Sequence, residues 1–383
     1  VRDSFPIAFY APMKSPDHPS PSGDRTMARL LMKALRRAGF APALASKLRT
    51  WDGRGDAAFQ NRTRADSLGE AERLIKRWRA SAEFERPRLW FTYHVYYKAP
   101  DWIGPRVADA LKVPYVVAEA SRAGKRAGGA WALAHEGAEA ALDRADVVFS
   151  LTGADREALE RNRHQGQRIL DLPPFIDFSE WPAPALKPSR IDLAESGRPP
   201  RLLSVAMMRA GDKLASYRVL AKALTSVSDQ PWTIDIVGDG EARAEVERVF
   251  ARLGDRITLH GRIEERATLA ALYRCADLFV WPAVNEAYGM VLLEAQAFGC
   301  PVLAGGYAGV ASVVSDGRTG VLAAPGDAAA FAAALRPLLR DPARRRRFGA
   351  AARSFVTTDR GVEHAANRLR DDLLPLMAEA ALP

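Results

Sequence analysis

Short apolar runs alternate with stretches of helical period along the whole chain. In the first half, residues 7–10, 89–93, 115–118 and 147–151 read as strands. Helical spacing covers residues 27–38, 70–79 and 129–143. The second half repeats the alternation, with strands at 202–206, 233–237, 257–259, 278–281 and 302–304 and helices between them. Such alternation predicts an α/β architecture with parallel sheets. From Phe355 onward the pattern is helical and carries Leu373, Leu374, Leu376 and Met377.

The middle breaks the pattern. Pro173, Pro174, Pro182, Pro184, Pro188, Pro199 and Pro200 crowd a stretch with little periodicity, which reads as an interdomain linker. At 383 residues the chain is too long for one ordinary core. The expected division is a first domain over 1–180, a linker over 181–200, a second domain over 201–360 and a terminal helix over 361–383. Cys275 and Cys300 lie in apolar surroundings without metal-ligand spacing, so free thiols in a reducing compartment are expected.

The net charge of +9 favours anionic partners without naming them. Zinc-finger spacing and RNP-like aromatic signatures are missing, which argues against nucleic acid. Val1-Arg2-Asp3 leads into an apolar strand without a signal peptide, so a cytoplasmic protein is expected. The uncharged stretch 295–315 is long enough to span a membrane, but Gly299, Pro301, Gly305, Gly306 and Gly309 make it a strand followed by a glycine loop. Leu68, Leu74, Ile75 and Trp78 among Arg73, Lys76, Arg77 and Arg79 form a basic amphipathic helix. Such a helix either packs on the sheet or touches an anionic membrane, which would place the protein peripherally at the inner face. The run Arg344 to Arg347 reads as a solvated helix face.

The chemistry concentrates at Glu286 and Glu294, two carboxylates separated by seven residues, behind the apolar strand at 278–281. Strand-loop-helix geometry puts Glu286 in the loop and Glu294 about one turn into the helix. Both can face a crevice at the carboxyl end of a parallel sheet. The helix start at Tyr288, Gly289, Met290 and Val291 offers backbone N–H groups to a phosphate. A carboxylate beside a phosphate site suits a sugar nucleotide. Breaking a sugar–phosphate bond releases negative charge that must be neutralised. No Asp-x-Asp occurs for holding a metal; the nearest pairs are Asp155 with Glu157 and Asp239 with Glu241. Arg209 and Lys213, after the strand at 202–206, are the alternative source of positive charge.

The continuous run from Asn285 through Glu286, Tyr288, Gly289 and Glu294 to Gly299-Cys300-Pro301-Val302 resembles the donor-binding signature of retaining GT-B-fold glycosyltransferases of glycosyltransferase family 4. The resemblance implies two Rossmann-like domains facing across a cleft, with a C-terminal helix crossing back to the first. It implies a hexosyltransferase moving a sugar from a UDP- or GDP-type donor to a carbohydrate or glycolipid hydroxyl with retention, without cofactor or metal. Glu286, Lys213 and Arg209 are the implied catalytic groups, and His94 joins them as a candidate from its own place at a strand end. Glu294, Tyr288, Gly289, Met290, Val291, Gly238, Arg262 and Ile263 are the implied donor-binding positions. Departures occur where Met207-Met208 replaces Gly-Arg, where Arg209 and Lys213 stand four rather than five apart, and where Ser312 replaces a Glu.

The first half resembles the family less. Ser22-Gly23-Asp24 looks like its glycine-rich loop, where Gly23 would let backbone approach a bound sugar. His94, at a strand end before Tyr96, Tyr97 and Lys98, can reach a cleft. Glu119 stands where the family often carries a His, and Lys125 and Arg126 form a basic loop suited to an anionic acceptor. Two other readings stay open: a nucleotide-sugar epimerase on the same fold, and a sugar-nucleotide-binding protein without catalysis.

Overall fold

The apolar runs do become parallel strands, and three more join them that the pattern does not mark. The computed structural model describes residues 5–182, 197–307 and 309–380. The residues 1–3, Pro184 and Pro188 discussed above lie outside these. The chain divides into Val1–Pro173 with Val362–Pro383, and Pro174–Gly361.

The first unit carries β1 (Phe5–Tyr10), α1 (Gly23–Arg37), β2 (Phe40–Leu44), α2 (Ala57–Ala80), β3 (Leu89–Val95), α3 (Gly104–Leu111), β4 (Tyr115–Ala120), α4 (Ala132–Arg144), β5 (Val147–Ser150), α5 (Gly153–Arg161) and β6 (Arg168–Asp171). The second carries β7 (Arg201–Val205), α6 (Asp212–Ser226), β8 (Thr233–Val237), α7 (Arg243–Phe250), β9 (Ile257–Gly261), α8 (Arg266–Cys275), β10 (Leu278–Trp281), α9 (Met290–Ala297), β11 (Val302–Gly305), β12 (Gly320–Ala323), α10 (Ala328–Arg340) and α11 (Pro342–Asp359). Helix α12 (Val362–Glu379) belongs to the first unit. It packs on α1, where Arg370 Nε donates to the Ala38 carbonyl at 2.9 Å and Arg37 pairs with Glu363.

Both sheets are six-stranded and parallel, with orders β2-β1-β3-β4-β5-β6 and β12-β11-β10-β7-β8-β9. The second is the doubly wound order of dinucleotide-binding folds. In each sheet the order reverses at one point, between β1 and β3 and between β7 and β10. Outside the carboxyl ends of strands at such a reversal, helices diverge to opposite faces and leave a crevice for ligands.

Burial explains what the sequence showed and hid. Phe9, Trp90, Phe91, Val117, Phe149, Leu203, Phe279, Val280 and Trp281 are fully enclosed, giving the unbroken apolar runs. The missed strands β2, β6 and β12 are all sheet edges, with half-exposed positions and a proline in β2. Helix α2 extends well ahead of the predicted 70–79. Ala71, Leu74 and Trp78 are buried, with Trp78 edge-on to Trp90 at 6.2 Å, so its apolar face packs on the sheet and is not offered to a membrane. Arg345 is also not solvated: it is buried and donates to the Leu338 and Leu339 carbonyls at the end of α10. Among the described residues no helix is long and apolar enough to cross a membrane.

Candidate functional site

At the β7/β10 reversal, Lys213 and Glu286 form an ion pair. Lys213 sits in the first turn of α6, which the β7 loop delivers to the sheet edge. Its ammonium also lies 5.5 Å from the Trp281 ring centre, and Trp281 Nε1 donates to Glu286 at 3.3 Å. The Glu286 loop is tied to α6 again by Asn285 Nδ2 to Asp212 at 3.0 Å and by the Val284 N–H to Ser216 Oγ at 2.9 Å. Four contacts thus fix a two-charge site where the order reverses.

The loop is strained as well as tethered. Ala283 and Asn285 hold left-handed backbone, with φ of 53° and 49°. Such conformations cost about 1–3 kcal/mol each and persist where surroundings over-determine them, as at ligand sites. Gly309 lies beneath the loop so closely that a Cβ there would come within 1.2 Å of the Ala287 carbonyl oxygen. Gly309 therefore serves to seat the Glu286 loop. Ser312, in the place of a family Glu, donates its N–H to the Gly309 carbonyl at 3.1 Å in the same turn.

Helix α9 starts at Gly289 with no side chain capping it, so its first N–H groups, at Met290 and Val291, are available to a ligand. Tyr288 is buried. Glu294 lies one turn in and accepts from the Tyr273 hydroxyl at 2.8 Å. Tyr273 stacks on Phe298 at 5.5 Å, against Trp181. Burial in this company raises the Glu294 carboxyl to about 7, while the Tyr273 hydroxyl and Arg266 oppose the rise.

The remaining second-unit candidates line the neighbouring strand ends. Gly238, with φ of 152°, ends β8, and a Cβ there would meet the Ala206 carbonyl oxygen at 1.8 Å. Its N–H bonds to the Gly261 carbonyl at 2.8 Å, which brings Arg262 and Ile263 beside it. The Arg262 side chain is exposed and pairs with Glu264 at 2.9 Å. Arg209 is exposed on the β7 loop, and its carbonyl accepts from the Leu214 N–H at 3.1 Å.

The first unit gathers its candidates at its own reversal. His94 ends β3, and Asp24 opens α1 behind β1. His94 Nδ1 is 3.2 Å from Asp24 and 3.7 Å from Glu119 at the end of β4. Asp155, on the first turn of α5, accepts from Thr152 Oγ1 at 2.6 Å and adds to the field on His94. Burial lowers the His94 pKa, but Glu119, Asp24 and Asp155 outweigh it and raise the ring to about 9. The imidazolium is therefore the resting form, a donor of hydrogen bonds and not a general base. His94 and Glu119 also hold left-handed backbone, with φ of 66° and 62°. Gly23 begins α1, capped by Ser22 Oγ on the Arg25 N–H at 3.2 Å. Lys125 and Arg126 lie exposed in a short turn before α4.

Sequence reasoning left out Asp24, Asp155, Tyr273 and Trp281 as site residues. Asp24 and Asp155 occupy helix first turns after β1 and β5, a position that could have singled them out once both strands were recognised. Tyr273 carries no such signal, since it lies 21 residues from Glu294 on another helix.

The family model of group 1 glycosyl transferases matches residues 199–341, the greater part of the second unit. D-inositol 3-phosphate glycosyltransferase of Xylanimonas cellulosilytica is 32% identical over 228 residues, 57% of this chain and 54% of its own. The 2-deoxystreptamine glucosyltransferase of Streptomyces kanamyceticus is 29% identical over 233 residues, 59% of each chain. The chain thus spans about half the length of the curated relatives it matches. Among solved structures, sucrose-phosphate synthase from Thermosynechococcus elongatus superposes with a TM-score of 0.72 at 22% identity, covering 98% of this chain and all of its own. Anabaena HepE in complex with UDP superposes at 0.70 with 16% identity over 97% of this chain and all of its own. The fold is that of the GT-B glycosyltransferases, and within the second unit residues 199–341 are similar to group 1 glycosyl transferases.

Proposed function

We propose that the protein transfers a hexose from a nucleotide-diphosphate sugar of UDP or GDP type to an acceptor hydroxyl, with retention and without a metal. The Lys213–Glu286 pair at the β7/β10 reversal carries this reading. In the resting site each charge neutralises the other. An arriving diphosphate takes Lys213, with Arg209 and the α9 N–H groups completing its neutralisation. Glu286 is then free to accept hydrogen bonds from the sugar, and Glu294 from the ribose. The C1–phosphate bond breaks as the acceptor oxygen bonds C1 from the same face. The acceptor proton passes to the leaving phosphate oxygen, so no side-chain base is needed. This suits a His94 that is already protonated and offers hydrogen bonds on the acceptor side with Glu119, Gly23, Lys125 and Arg126.

A panel of UDP- and GDP-sugars, read by thermal shift and by nucleotide release with mixed sugar acceptors in excess EDTA, tests it. Release coupled to a glycoside whose anomeric proton keeps the donor's coupling constant is the expected result. Isomerised donor without acceptor would mean an epimerase, and binding without turnover a sugar-nucleotide-binding protein. Activity abolished by EDTA and restored by Mg²⁺ would end the metal-free reading.

A further inference from the structure

We infer that the carboxyl edge of the first sheet carries a platform for an anionic, hydroxylated ring: a sugar or cyclitol bearing a phosphate or carboxylate. This names the acceptor class and rests on the reading that the first unit takes the acceptor. Three loops supply aromatic faces. Trp51 follows β2, Tyr96 and Tyr97 follow β3, and Trp131 caps α4. They form one connected band starting at His94. The Tyr96 ring is 4.9 Å from His94 and 5.5 Å from Tyr97, and Tyr97 meets Trp131 edge-on at 5.8 Å. Trp51 Nε1 donates to the Tyr96 hydroxyl at 3.0 Å.

Cations lie over these rings. The Arg126 guanidinium is 5.3 Å from the centres of both Tyr97 and Trp131, Lys98 Nζ is 5.6 and 5.5 Å from the same two, and the Arg49 guanidinium is 4.6 Å from Trp51. None of the three has a carboxylate within 4.0 Å among the described residues. Elsewhere in this unit Arg73, Arg106, Arg122 and Arg144 are all neutralised by acids. The acids of the neighbouring loop are committed to its backbone. Asp52 accepts from the N–H groups of Arg54, Gly55 and Asp56 and from Gln60, and Asp56 accepts from Phe59.

A solvated surface arginine extends into water. Arg49 and Arg126 are exposed and Lys98 is half-buried, yet each lies beside a ring, Arg49 also bonded to the Met13 carbonyl at 3.0 Å, with no carboxylate to neutralise it among the described residues, which leaves them open to an anion. Aromatic faces match the C–H faces of a sugar ring, and the band ends at the His94, Asp24 and Glu119 cluster, which is suited to hydroxyls. An anionic ring thus finds its charge, its apolar face and its hydroxyls matched along one sheet edge.

The test is titration calorimetry on the full chain with glucose 6-phosphate, glucuronate, glucose, inorganic phosphate and UDP. Glucose 6-phosphate and glucuronate are expected to bind at least about tenfold tighter than glucose, and glucose 6-phosphate tighter than phosphate alone. The preference is expected to shrink in high salt. The double variant Lys98→Gln/Arg126→Gln is expected to lose that preference while binding UDP normally. Equal binding of glucose and glucose 6-phosphate, an unchanged preference in the double variant, or displacement of glucose 6-phosphate by UDP would overturn the platform. So would tighter binding of a short RNA oligonucleotide than of any anionic sugar. If anionic sugars bind as expected but no donor sugar reaches any acceptor, the platform stands and the transfer reading falls. If a neutral acceptor is glycosylated with the same KM by the double variant, transfer stands and the platform is not the acceptor site.

Discussion

The two units place charge at the same topological position in opposite ways. At the β7/β10 reversal, Lys213 and Glu286 cancel each other, and a ligand must exchange one partner for another. At the β1/β3 reversal, Asp24, Glu119 and Asp155 surround one imidazolium, three carboxyl groups to one cation. A balanced pair suits an anion that brings its own charge, since Lys213 leaves one acid for another at little cost. An acid-rich cluster repels a diphosphate and suits neutral hydroxyls, which both donate to carboxylates and accept from His94. The same α/β scaffold thus provides two different ligand sites, distinguished by the side chains its first helix turns and strand ends carry.

Lys213→Ala breaks the balanced pair most directly. It removes the stabiliser of leaving-group charge and leaves Glu286 without its ion-pair partner. Turnover at saturating donor is expected to fall at least ~100-fold. Glu286→Ala is expected to lower turnover by a similar factor, and the double variant by little more than either alone, because the two act as a unit. Independent, multiplicative losses would show that the pair seen at rest has no joint role in the reaction.

These two sites were not equally legible in the sequence. The second lies largely within one uninterrupted stretch from Glu286 to Val302, so the continuous pattern and its resemblance to a family signature suggested it, and Lys213 entered through the turn after an easily read strand. The first is assembled from the ends of β3 and β4 and the starts of α1 and α5, each contributing one residue with no mutual spacing. Asp24 and Asp155 look like helix caps in sequence because local hydrogen bonding does bind them there; only the topology brings them to His94. The same limit hid β2, β6 and β12. An edge strand buries less, so it needs fewer apolar residues and leaves a weaker trace.

Glu294 sharpens the comparison through its protonation. Its carboxyl is raised from 4.5 to about 7, so the accepting ionised form dominates only above neutrality. Affinity for UDP or GDP is expected to rise with pH through about 7 in the native protein and to stay flat in Glu294→Gln. At pH 8 the variant should bind roughly 30-fold more weakly, the equivalent of about 2 kcal/mol for a charged hydrogen bond. Without ligand the sign reverses. A raised acid contributes stability that is full below about 4.5 and lost as pH rises through about 7, so Glu294→Gln gains relative stability between pH 5 and 8. Calorimetric binding and denaturant melts at the two pH values check both halves.

His94 gives the matching test in the first unit. Its pKa is raised from 6.5 to about 9, so its interaction with the carboxylates is fully present below about 6.5 and lost as pH rises through about 9. The groups facing it are Asp24, held below its usual value against burial by its bond to His94, Glu119 and Asp155, both raised by burial, and the Tyr96 ring. His94→Gln is expected to cost on the order of 1–2 kcal/mol at pH 6.5, shrinking toward zero by pH 10. A cost independent of pH would mean that packing, not charge, holds the ring.

The smallest effect separates strain that serves a site from strain that does not. Of the described residues other than glycine, five hold left-handed backbone, and His94, Glu119, Ala283 and Asn285 are at the two sites. The fifth, Lys112, merely ends α3, where glycine is the usual occupant. Lys112→Gly relieves the backbone at an exposed position and is expected to stabilise the first unit by about 0.5–1 kcal/mol, with turnover unchanged. Ala283→Gly relieves the same conformation but forfeits a fully buried methyl, worth about 0.8 kcal/mol, so its stability should barely change. What it loses is the stiffness that aims Glu286 at Lys213, and kcat should drop a few-fold while the denaturant midpoint holds. If both substitutions stabilise equally and leave kcat alone, the left-handed residues at the second site are ordinary turn geometry.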